Sequence, residues 1–176
     1  NALGVEKIIT LSPHAYNAMR NVYPLYGGKY NVMHYTRMLL KLIDEGKLDI
    51  SKGFDGQVTF HDPCFLGRWN GEYETPRRIL HKIPRLRFTE MEKNRDGALC
   101  CGGGAGNFAI DLLGGSDSSP ARRRVREAAE TGADILAVTC PKCLVMLEDA
   151  VKAEDLEGTI AVKDINEIVA AACGLL

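Results

Sequence analysis

The 176 residues are 45% hydrophobic and 26% charged, with 22 Lys plus Arg against 23 Asp plus Glu and a net charge of −1. That length can bury a real core, as one domain or two small ones, and the balance leaves no global basic field for nucleic acid. No apolar run approaches the roughly 18 residues of a membrane span, the stretch from Asn1 has neither the charged start nor the apolar run of a secretory signal, and a start without Met points to processing or truncation upstream. Val5 to Leu11 is apolar and β-branched, the pattern of a buried strand, and Pro13 opens a helix running towards Tyr23. Gly27-Gly28 breaks the chain before a short strand at Tyr30 to Met33. The next helix sets Tyr35, Met38, Leu39, Leu42 and Ile43 on one face and stops at Gly46. Asp49 to Gly56 is polar and Gly-punctuated, a boundary.

A second series follows. Gln57 to His61 reads as a strand ending at His61-Asp62-Pro63-Cys64, and Thr75-Pro76 as the cap and first position of a helix to about Lys82. Arg87 to Glu90 is a short strand, Leu99 to Gly106 a tight loop, and Gly114 to Ser119 a flexible surface segment. Ser119-Pro120 starts a helix that ends at Gly132. Ile135 to Thr139 is a buried strand running into Cys140-Pro141-Lys142-Cys143, which opens another helix. Ile160 to Lys163 is the last strand, and Asp164 with Glu167 forms a capping box for the closing helix. This alternation predicts an α/β fold with mostly parallel strands and flanking helices. The βα unit is duplicated: Ile8 to Ala15 aligns with Leu136 to Cys143, so Ser12 and Ala15 stand where the second copy has Cys140 and Cys143.

Six cysteines are an even number, but Cys100 and Cys101 are adjacent, poor geometry for bridging, and a chain of this size needs no staples. Metal or redox chemistry in a cytosolic protein is the better reading. Cys64 is followed after 35 residues by Cys100-Cys101, and after 38 more by Cys140, with Cys143 two residues beyond. All three groups fall at strand ends or Gly-rich turns, which an α/β sheet gathers along one edge. A Cys-x-x-Cys at a helix start turns both sulfurs to one centre and lowers thiolate pKa. Gly102 to Gly104 lets backbone approach a bulky inorganic body and donate N–H groups to it. Structural zinc takes four ligands, whereas a multi-iron cluster can spread five thiolates over several irons. The set therefore favours iron–sulfur, with zinc as the alternative. Cys173 reads as a packed free thiol.

The pattern Cys64…Cys100-Cys101-Gly102…Cys140-Pro141-Lys142-Cys143, with His61-Asp62-Pro63-Cys64-Phe65-Leu66-Gly67-Arg68, resembles the cysteine-rich or CCG domain of B-type and D-type heterodisulfide reductases and related iron–sulfur oxidoreductase subunits. The resemblance implies a noncubane [4Fe-4S] cluster held by Cys64, Cys100, Cys101, Cys140 and Cys143. It also implies an oxidoreductase subunit that passes electrons from a flavoprotein or ferredoxin-like iron–sulfur partner to a disulfide, another subunit, or a membrane quinone-reactive or cytochrome subunit. A cytoplasmic location follows, peripheral to the inner face of the membrane through such partners. The motif usually occurs twice in that family. Residues 1–52 look like the remnant of a first copy whose Cys-x-x-Cys is lost, and 53–176 like a complete copy, so one cluster is expected.

His61, Arg68, Gly102, Gly103 and Lys142 are expected around the cluster, the cations and N–H donors offsetting the charge of five thiolates and raising its potential. Gly104-Ala105-Gly106-Asn107-Phe108-Ala109 matches G-x-G-x-x-A, but the cysteine pair before it does not suit a dinucleotide site. Arg122, Arg123, Arg124 and Arg126 read as a solvated helix face paired with Glu127 and Glu130. Trp69 and Tyr73 flank the loop after Cys64 as packing or cover. His14, His34 and His81 read as surface or structural residues.

Overall fold

The computed structural model describes residues 4–104, 106–110 and 116–176. β1 (Lys7–Thr10) and β2 (Asn31–His34) pair in parallel. β3 (Gly56–Phe60), β4 (Leu86–Phe88), β5 (Ile135–Val138) and β6 (Ala161–Asp164) form a second parallel sheet in the order β4-β3-β5-β6. The helices among the described residues are α1 (Pro13–Asn17), α2 (Tyr35–Asp44), α3 (Glu74–Lys82), α4 (Asn107–Ile110), α5 (Pro120–Glu130), α6 (Pro141–Ala153) and α7 (Ile165–Ala172). The α/β architecture is the one the alternation of patterns predicts.

β5 is buried at all four residues because it is hydrogen-bonded on both sides and covered on both faces. Successive side chains alternate. Leu136 and Val138 join Val125, Ala128, Leu147 and Val151 of α5 and α6 in one core. Ile135 and Ala137 join Ile79, Leu80, Ile165 and Ile168 of α3 and α7 in the other. Leu40 of α2 enters that second core, and the Tyr35 hydroxyl donates to Asp164 at the start of α7.

The duplication is visible in the register. Lys7 to Thr10 pair with Asn31 to His34 as Ile135 to Val138 pair with Ala161 to Asp164, and each pair is followed by helices opening at matching positions. Ser12 and Cys140 are the N-caps of α1 and α6, and the Ser12 hydroxyl accepts the Ala15 amide at 3.3 Å. The first unit makes the same capped turn, with Ser12 and Ala15 where the second has Cys140 and Cys143.

Several boundaries differ from expectation. The helix opened by Pro13 leaves α-geometry at Asn17, continues as a π-helix over Ala18–Val22 and a 3-10 turn over Tyr23–Tyr26, and stops at left-handed Gly27. α3 starts at Glu74 with Tyr73 as its cap, because the Thr75 hydroxyl donates to Glu72 instead of capping. Pro76 is tolerated in that first turn, where no intrahelical N–H is needed. Of the segment Gly114 to Ser119, residues 114–115 lie outside the described residues. Ala105 of the G-x-G-x-x-A match also lies outside them, and a 3-10 turn at Arg95–Gly97, not a strand, is the last regular element before that loop.

Candidate metal centre

The C-terminal ends of β3 and β5 deliver His61-Asp62-Pro63-Cys64 and Cys140 to one edge. Asp62 anchors the first of these loops. It is buried, accepts Arg77 Nη1 and Nη2 at 2.8 and 2.9 Å, and takes the Arg95 amide at 2.8 Å. Arg68 then ties the Cys64 loop to the stretch of chain leading into Cys100. Its Nε donates to the Asp96 carbonyl at 2.8 Å and its Nη2 to the Ala98 carbonyl. The guanidinium expected as a cation beside the site is thus also a clamp between two of its loops.

Those loops bring together all five thiols singled out by spacing. Electrostatic interactions link Cys64 with Cys100, Cys100 with Cys101 and Cys140 with Cys143, and the Cys143 thiol donates to Cys101 Sγ. The Cys143 and Cys101 sulfurs are 3.3 Å apart, well beyond the roughly 2.05 Å of a disulfide. Cys101, Cys140 and Cys143 are buried, whereas Cys64 and Cys100 are partly open to solvent. Donation from Cys101 and Cys64, helped by the Gly102 amide at 3.3 Å, pulls the Cys100 thiol down to about 2. The neighbouring Cys143 thiol, with the amides of Cys143 and Lys142 and the Lys142 charge, brings Cys140 to about 7 at the start of α6. Hydrogen bonding to these thiolates and burial push Cys64 and Cys143 up, and Cys101 to about 11. Cys173, on the C-terminal turn, takes no part; its thiol is raised by burial.

The glycine run is used unequally. Gly102 has φ +77, a left-handed turn that other residues adopt only with strain. At Gly103 a Cβ would meet Lys142 Cγ and Met146 Cγ, each at 3.0 Å, so the pair of cysteines packs directly on the first turns of α6. Gly104 faces open space. Asn107 secures the turn from beyond, donating to the Gly102 carbonyl at 3.0 Å. The Lys142 ammonium sits 5.7 Å from the centroid of the Phe108 ring.

His61 is buried, and one of its ring nitrogens lies within 4.8 Å of the Cys101 and Cys143 sulfurs. Burial, then the Arg124 charge, lowers its pKa to about 3, so it is a neutral imidazole. A place in a basic run does not mark Arg124 for this role. It is 0% exposed and reaches His61 Nδ1 at 3.2 Å. The expected solvated face is divided instead. Arg124 pairs with Glu127, but Arg122 and Arg126 pair with Glu154, the residue just after α6, rather than with Glu130.

The thiol-less first unit leans on the Cys64 loop. His14 packs 4.1 Å from Phe65, and Phe65 stacks on Trp69 at 5.9 Å, with Trp69 66% exposed. Asn70 bridges to Asn17 and Asn21 at 3.1 Å each, and Arg37 pairs with Glu72. His34 is fully buried, its Nδ1 2.9 Å from Thr36 Oγ1 and Nε2 3.2 Å from the Leu11 carbonyl. His81 packs edge-on against Phe88.

The model of the cysteine-rich domain, CCG, matches residues 58–148, from β3 into α6. The chain belongs to the cysteine-rich domain family. It is 38% identical over 166 residues to the probable iron-sulfur-binding oxidoreductase FadF of Bacillus subtilis, covering 94% of this chain and 23% of that protein. It is 38% identical over 174 residues to EtfAB:quinone oxidoreductase of Syntrophomonas wolfei, covering 96% and 24%. It is 37% identical over 177 residues to the D-type component of the dihydromethanophenazine:CoB–CoM heterodisulfide reductase of Methanosarcina barkeri, covering 98% and 42%. This member of the family thus spans about a quarter of the first two relatives and two-fifths of the third. Among the described residues no helix is long and apolar enough to cross a membrane.

Proposed function

We propose that this chain is the cluster-bearing unit of an iron–sulfur oxidoreductase, with Cys64, Cys100, Cys101, Cys140 and Cys143 holding a [4Fe-4S] cluster of noncubane type. The observation that carries the reading is the convergence of cysteines from three separate loops, with the Cys101 and Cys143 sulfurs 3.3 Å apart, a His61 ring nitrogen within 4.8 Å of both, and Cys64, Cys100 and Cys140 interacting with them. Five sulfurs exceed the four that a structural zinc takes. The Gly102 amide and the amides at the start of α6 supply donors for negative charge, and His61 Nε2 is a buried polar atom with no partner among the described residues. When bound, such a cluster supplies one-electron transfer at a potential set by its surroundings. The residues of the chain hold, shield and bias it. Lys142 and Arg68 place positive charge nearby, and the partly open side at Cys64 and Cys100 is where electrons and substrate would pass.

Residues 1–52 are read as the remnant of a first copy and 53–176 as the complete one. The Ser12 hydroxyl caps α1 and Ala15 has no ligating group, so the first unit's part is support of the Cys64 loop through His14, Asn17, Asn21 and Arg37. Electrons would come from a flavoprotein or a ferredoxin-like iron–sulfur subunit and go to a disulfide, or to a membrane quinone-reactive or cytochrome subunit. That assignment rests on relatives named as an EtfAB:quinone oxidoreductase and a heterodisulfide reductase component. A cytoplasmic chain, attached peripherally to the membrane through partners, fits it. Metal and sulfide analysis of anaerobically purified protein tests the reading. About four irons with matching labile sulfide are expected; one zinc and no sulfide would establish a zinc-stabilised scaffold instead.

A further inference from the structure

Arg124, deep in α5, spends its whole guanidinium inward. Nε donates to His61 Nδ1 at 3.2 Å, Nη1 to the Lys93 carbonyl at 2.7 Å and Glu127 Oε2 at 2.8 Å, and Nη2 to the Phe60 carbonyl at 3.4 Å. A guanidinium has donors only and does not give up its proton, so Nδ1 has to accept. A neutral imidazole whose Nδ1 accepts carries its proton on Nε2. Among the described residues that Nε2 is buried without a partner, and one nitrogen of the ring lies within 4.8 Å of the Cys101 and Cys143 sulfurs. A buried N–H left without an acceptor is costly, so this one calls for an acceptor beyond the described residues.

Resting on the iron–sulfur reading above, we propose that Arg124 locks His61 as its Nε2–H tautomer, so that His61 donates a hydrogen bond to a sulfur of the cluster rather than ligating iron. Direct ligation needs a bare lone pair, and the only nitrogen bearing one is occupied by Arg124. A hydrogen bond to cluster or ligand sulfur withdraws charge from the cluster and raises its reduction potential. Arg124 is then a positioning residue acting through His61, buried 63 positions away along the chain.

The test uses anaerobically purified protein labelled with 15N-histidine, examined by electron–nuclear double resonance in its paramagnetic oxidation state and by potentiometric titration. Wild type is expected to show a weak 15N coupling and a proton coupling that disappears in D2O. His61→Leu loses both, and its midpoint moves negative; His61→Gln, which keeps an N–H near the Nε2 position, restores the exchangeable proton and most of the midpoint. Arg124→Lys retains a donor to Nδ1 and keeps the wild-type couplings, so the test does not depend on a fully truncated variant folding. A strong 15N coupling typical of a coordinated imidazole overturns the proposal, as does iron-loaded His61→Leu with an unchanged midpoint. Protein without iron would sink the iron–sulfur reading and this proposal with it. Iron-loaded protein lacking any histidine coupling would sink this proposal alone.

Discussion

Replacing Asp62 by Ala removes the anchor of the loop that carries His61 and Cys64. Its carboxylate and the Arg77 guanidinium are each 3% exposed, and their two bonds of 2.8 and 2.9 Å are joined by the Arg95 amide at 2.8 Å. Removing one partner of a buried pair costs about 3–5 kcal/mol. Arg77 keeps Glu90, at 2.5 and 3.0 Å, so its charge is not left bare. The lower end is therefore expected, about 3 kcal/mol. For a chain of this size, each kcal/mol moves Tm by roughly 2–4 °C, which predicts a fall of about 6–12 °C. Calorimetry and iron content are read together, because a freed Cys64 loop should also shed iron. Asp62→Asn, keeping an acceptor but not the charge, should fall between. A drop of less than about 3 °C with full iron content would show that Asp62 does not hold the site.

Three further outcomes follow from the same geometry. Burial holds His34 at about 4 against an ordinary 6.5; the unfolded chain protonates first, so stability is complete above pH 6.5 and is lost as pH falls towards 4. That loss is about 3 kcal/mol, and His34→Gln should flatten the urea-denaturation profile in that window; an unchanged slope counts against it. Hydrogen bonds from Arg126 and Arg122 hold Glu154 at about 2, so their contribution is present above pH 4.5 and lost below it. Glu154→Gln should remove that acid limb, and a variant melting with the wild-type pH profile would refute the pairing. Gly102→Ala forces a side chain into a left-handed turn at a cost of about 1–2 kcal/mol, whereas Gly104→Ala, facing open space, should change Tm hardly at all. Equal melts for the two would contradict the unequal use of the glycine run.

Much of this site is legible in the residues because it is local. The run Ile135 to Thr139 reads as a buried strand, the Cys-Pro-Lys-Cys that follows opens a helix, and Asp164 with Glu167 forms the capping box seen at α7. The repeat of Ile8 to Ala15 in Leu136 to Cys143 reappears as matching strand registers. What sequence pattern misses is long-range and polar. Arg124 sits in a run of arginines that looks solvated, and its burial depends on His61 and on the Lys93 and Phe60 carbonyls, all distant in sequence. His34 looks ordinary in the sequence because its partners are a backbone carbonyl and one hydroxyl. Arg68 stands out for its charge, yet its geometry is that of a clamp on two carbonyls. The change to π-helix at Ala18 carries no residue signal of its own.

The central claim, that five cysteines and not the sixth hold one cluster, is tested most directly by counting iron and labile sulfide in single serine variants purified without oxygen. Cys173→Ser should keep about four irons per chain, while Cys101→Ser, whose sulfur sits in the middle of the thiol run, should lose the cluster and its visible absorbance. Full iron in Cys101→Ser, or loss of iron in Cys173→Ser, would contradict the account.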